Sequence, residues 1–153
     1  MRFHQVREVV DWAMRTHERL ADEYEHLGRQ CGDERLRLAL SYLARHERSR
    51  VAALARYAAD PAHEKVLATW FDDTTEFPQP RLVDRLCDTV DGQATHRLLA
   101  SALAIHRTME DLYQHRAETA AIDDQREFFS ALARSHEAET RHLVRDMGRL
   151  EML

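Results

Sequence analysis

The run Leu36-Arg37-Leu38-Ala39-Leu40-Ser41-Tyr42-Leu43-Ala44-Arg45-His46-Glu47-Arg48-Ser49-Arg50-Val51-Ala52-Ala53-Leu54-Ala55-Arg56-Tyr57 decides the fold. Within it Leu36, Leu40, Leu43, Glu47, Arg50, Leu54 and Tyr57 recur at alternating steps of four and three. Seven residues are close to two α-helical turns, so these side chains share one stripe of a helix. Neither Gly nor Pro interrupts the run, and Ala, Leu and Arg, all strong helix formers, fill most of it. A long helix with one apolar seam needs partners to bury that seam.

The partners lie on either side. Upstream, Val6, Val10, Ala13, His17, Leu20, Tyr24 and Leu27 keep the same spacing. Downstream, a third segment carries two adjacent stripes: Leu98, Ala102, Ile105, Met109, Leu112, and Leu99, Leu103, His106, Glu110, Tyr113. A fourth gives Phe129, Leu132, His136, Glu139 and Leu143. Gly28 to Gly32 breaks the first segment, Asp33 can cap the second, and Asp60-Pro61 ends it. Asp91 can cap the third segment and Asp123 or Asp124 the fourth. Helices are thus expected over about 3–28, 33–59, 91–119 and 123–150 of a single domain, 1–153, with a crossover over 60–90. The links after the first and third helices are a few residues long, so each pair runs antiparallel. The crossover holds Pro78, Pro80, the aromatics Trp70, Phe71 and Phe77, and helical patches around His63–Trp70 and Arg81–Asp88. It is long enough to let the third helix start at the same end as the second, giving an all-α bundle with one crossover.

Charge and composition remove several classes of function. The 22 basic and 27 acidic side chains give a net charge of −5. Lys65 is the only lysine, and the signs are interspersed, so no stripe for nucleic acid is formed. The longest run of apolar and small residues, Leu98 to Ile105, is far short of the ~20 residues that span a bilayer. Charge breaks up the first residues, which excludes a signal peptide. Cys31 and Cys87 have no metal-type spacing and read as free thiols of a cytoplasmic protein.

Polar residues stand where the seams call for leucine. Glu47 and Arg50 do so in the second helix, and His136 and Glu139 in the fourth. Glu18 and Glu110 lie one residue beside a seam in the similar strings Thr16-His17-Glu18-Arg19-Leu20 and Thr108-Met109-Glu110-Asp111-Leu112. Counted from the two short links, all six sit at similar depth, so the chain reads as a weak repeat of one helical hairpin. His17 and His106 lie near this layer and read as buried, hydrogen-bonded core histidines. His46 reads as a neighbour of Glu47 or an exposed group. Tyr24, Tyr57 and Tyr113 read as core aromatics.

With Glu18, Ala21 and Tyr24 in the first helix, Leu43, Ala44 and Glu47 in the second, and Glu110 in the third, the chain resembles the ferritin-like superfamily, rubrerythrin type. The resemblance implies a left-handed four-helix bundle with a long crossover carrying short helices. It also implies a centre in which each hairpin supplies one Glu and then Glu-x-x-His to two irons. Two departures stand out. Arg50 occupies the place of a histidine, and His136-x-x-Glu139 reverses the expected order; Glu139-x-x-His142 restores it only one turn away.

Two functional readings follow. In one, Glu18, Glu47, Glu110, His136, Glu139 and His142 hold a single iron or manganese ion, which leaves open whether the chain is an enzyme. In the other, Arg50 clamps the glutamates in a metal-free salt-bridge core of a structural or protein-interaction bundle. Trp70, Phe71 and Phe77 are expected to cover the bundle or to form the contact of a homodimer.

Overall fold

The computed structural model describes residues 2–73, 76–88 and 95–151. Its helices are α1 (Val6–Gln30), α2 (Glu34–Ala59), a 3-10 turn (Pro61–His63), α3 (Glu64–Leu67), α4 (Gln79–Asp88), α5 (Thr95–Glu118) and α6 (Asp123–Glu151). Among the described residues there is no strand, and none of the helices is long and apolar enough to cross a membrane.

Local chemistry sets most helix ends. Asp33 Oδ1 accepts from the Arg35 N–H at 3.0 Å and starts α2. Pro80 lies in the first turn of α4, where its missing N–H costs nothing. Asp91 and the expected start of the third helix at 91–94 lie outside the described residues. Residues 3–5, expected to be helical, are not. The Phe71 N–H donates to His4 O at 2.8 Å and the Val6 N–H to Thr69 O at 3.2 Å, so the N-terminal residues pair with the crossover instead. Gly28 does not end α1, which runs two residues further. There the helix lies close to α2, and a Cβ at Gly28 would stand 3.8 Å from the Leu40 Cβ.

Three side-chain bonds fix the directions. His17 of α1 meets Glu47 of α2, as an antiparallel hairpin requires. Tyr42 donates to Asp146 at 2.7 Å and Tyr57 to Phe128 O at 2.9 Å, so α2 and α6 are antiparallel. With α5 and α6 joined by the short link 119–122, α5 runs parallel to α2. The core contains the apolar seam residues, among them Val10, Leu20, Leu43, Ile105, Leu112, Phe129 and Leu143.

The crossover is pinned by one cation. The Arg116 guanidinium of α5 is buried 3.8 Å from the Phe71 ring centroid and 4.0 Å from that of Phe77, and Nη1 donates to Asp73 O at 3.1 Å. Burial lowers its pKa to about 10, against the opposing pull of Asp73. The expected aromatic cluster is therefore divided: Phe71 and Phe77 turn inward on Arg116, while Trp70 is 65% exposed beside His4.

Candidate functional site

Four long helices bring one polar layer together. His17 comes from α1, His46, Glu47 and Arg50 from α2, His106 from α5 and His136 from α6, and all six are buried. Glu47 is at the centre. Its Oε2 lies 2.5 Å from His17 Nδ1 and its Oε1 2.6 Å from His106 Nε2. His106 Nδ1 then meets His136 Nε2 at 3.0 Å, which makes a continuous chain His17–Glu47–His106–His136. The His46 ring stands edge-on to His106 with centroids 5.5 Å apart.

Proton accounting follows from the chemistry of the groups. Burial by itself would raise the Glu47 carboxyl, but the fields and hydrogen bonds of His106 and His17 outweigh it and hold the group well below the usual carboxylate range. An ionised carboxylate only accepts, so His17 gives its Nδ1–H and His106 its Nε2–H. Burial drives His17 and His136 towards the neutral form, partly opposed by Glu47. Burial and the nearby His106 push His46 down to about 4. With the Nε2–H of His136 given to His106 Nδ1, bare lone pairs remain on His17 Nε2 and His136 Nδ1. Both atoms are buried without a partner, as are His46 Nε2, Arg50 Nε and the hydroxyls of Tyr24 and Tyr113.

The structure gathers only part of the expected set. Glu47, Arg50 and His136 lie in the layer. Glu18 is exposed, because it follows the seam residue His17 by one position and the helix turns about 100° per residue. Glu110 is rotated from Met109 in the same way; it is half-buried and accepts from Gln114 Nε2 at 3.2 Å. Glu139 is half-buried within the electrostatic reach of Tyr42, and His142 is exposed beside Arg145. The expected Arg50–glutamate clamp is not formed among the described residues: the Glu47 oxygens face His17 and His106, and Arg50 makes no ion pair with a carboxylate. His17 and His106 thus take the places given to Glu18 and Glu110. Their signal was in the numbering: His17 and Glu47 are 30 residues apart, and so are His106 and His136.

These residues do not fit the two-iron centre that the resemblance implies. Such a centre needs several carboxylates, and the layer holds one, with both oxygens engaged by imidazoles. Among the described residues no three His, Cys, Asp or Glu side chains form a group that could hold a metal ion. The unpartnered atoms also mix acceptors with the Arg50 Nε–H, a donor that a cation cannot serve.

No protein-family model, curated protein or solved structure matches the chain.

Proposed function

We propose that the chain is a non-catalytic, cytoplasmic, ferritin-like bundle with a metal-free polar core, and that it acts by association, first with a second copy of itself. The observation that carries this reading is the closure of the centre. His17, Glu47, His106 and His136 are all 0% exposed. The one negative charge of Glu47 and the one positive charge of Arg50 cancel when the imidazoles are neutral. No surplus anion is left to call for iron or manganese. The layer is closed to a reactant from solvent, and a divalent ion would share a buried layer with a guanidinium, which is costly. Such a layer specifies how the helices register, because shifting α1 or α5 by one turn would take a donor from Glu47 and shifting α6 would break the His106–His136 contact.

The surface offers an edge for self-association. Trp70 and Ile122 are large exposed apolar residues at one end of the bundle, where Gln125 Nε2 donates to Trp70 O at 3.1 Å. Aromatic residues exposed in this manner are enriched at the centres of interfaces.

Metal analysis of protein made without an affinity tag tests the reading. Iron and manganese well below one ion per chain are expected, together with a dimer by light scattering. Retention of iron or manganese near one ion per chain after dialysis against chelator would overturn it.

A further inference from the structure

Near the link between α1 and α2 the two helices present small residues to each other, Gly28 on α1 and Ser41 and Ala44 on α2. A cleft of about 550 Å³ opens over them. That size falls in the range of small-molecule sites. Three arginines line it: Arg29 from α1, and Arg37 and Arg45 from α2, set eight residues apart with Ser41 between them. The only carboxylate on the walls, Glu25, is already held by Arg48 at 3.3 and 3.2 Å. Arg37 is fixed at one end, where Nη2 donates to Cys31 O at 2.8 Å and Nη1 lies 3.6 Å from Glu34. Among the described residues, Arg29 and Arg45 form neither an ion pair nor a guanidinium hydrogen bond.

The chain is acidic overall, and many of its other arginines stand against a carboxylate, as in Arg48–Asp22, Arg81–Glu76 and Arg126–Asp123. Among the described residues, Arg29 and Arg45 have no such carboxylate, so an anion entering the cleft would meet two guanidinium groups free to pair with it. The C-terminus of α1 and the N-terminus of α2 lie side by side here, so their dipoles offset and the side chains set the sign of the field. Guanidinium forks match phosphate oxygens in pairs, and Ser41 adds a hydroxyl donor.

We propose that the α1–α2 cleft binds a phosphate-bearing ligand through Arg29 and Arg45, with Arg37 and Ser41 as further donors. The site is independent of the buried histidine layer. A soluble phosphate ester and a lipid headgroup share this chemistry. Calorimetry with pyrophosphate and co-flotation with phosphatidate-containing vesicles, against phosphatidylcholine vesicles, separate the two sources. Full-length chain, Arg29→Ala/Arg45→Ala, Arg45→Glu and the control Arg134→Ala are compared in each. Saturable binding in either arm is expected, weakened at least about tenfold by the cleft variants, since each removes charge-assisted hydrogen bonds. The Arg134 control should stay within about twofold, as a surface change away from the site. Absence of saturable binding in both arms, cleft variants that bind like the parent, or an equal loss in Arg134→Ala would overturn the proposal.

Discussion

Glu47 is the residue on which the buried layer depends. It is fully buried, and two imidazole N–H groups have no other acceptor. Glu47→Ala removes that acceptor and should destabilise the fold by about 3–5 kcal/mol in urea titrations, as for other broken buried charge pairs. Glu47→Gln keeps the volume but presents one donor where an acceptor is needed, which forces one histidine into its other tautomer. A loss of about 1–3 kcal/mol is expected. Glu18→Ala and Glu110→Ala bracket these, because neither side chain enters the layer. Both should stay within about 0.5 kcal/mol of the parent. A large loss at either would mean that the carboxylates do converge.

Among the elements, the crossover depends most on one partner. Residues 68–73 and 76–78 have little regular structure and lie on the bundle through the bridge to residues 4–6 and the stacking of Phe71 and Phe77 on Arg116. Arg116→Ala should leave α1, α2, α5 and α6 helical while freeing this segment. The expected cost is about 2–4 kcal/mol, from lost packing and desolvated cation–π contacts. Amide exchange is the more telling readout: the Val6 and Phe71 N–H groups, bonded to Thr69 O and His4 O, should lose protection before the centres of the long helices. Uniform loss of protection across all helices would show that the crossover is not a separate unit.

The whole molecule should respond to acid in a defined direction. His17, His46 and His136 have folded pKa values below the ordinary 6.5, chiefly through burial, so the unfolded chain binds more protons as pH falls below 6.5. Stability is then fully present above that value and is lost between pH 6.5 and the folded pKa values, about 4 for His46. Each such histidine contributes a slope of about 1.4 kcal/mol per pH unit. Glu47 adds a loss in the same direction below its ordinary 4.5. Urea midpoints should fall from pH 7.5 to pH 5; a flat profile would mean that the imidazoles titrate alike in the folded and unfolded chain, and a rising midpoint that the fold holds them charged. Light scattering at high micromolar concentration should report a dimer that Trp70→Glu converts to monomer. The sequence alone determined the four long helices, because a seven-residue seam and its caps are local properties of the chain. It also determined that Glu47, Arg50 and His136 face inward. Which neighbour joins them was decided by tertiary packing. Glu18 and His17, or Glu110 and Met109, differ by one residue, a rotation of about 100° that periodicity alone cannot assign once both positions border the seam. The extended pairing of residues 4–6 with the crossover, and the inward turn of Phe71 and Phe77 onto Arg116, rest on contacts far apart in sequence. Local propensity carries no record of such contacts.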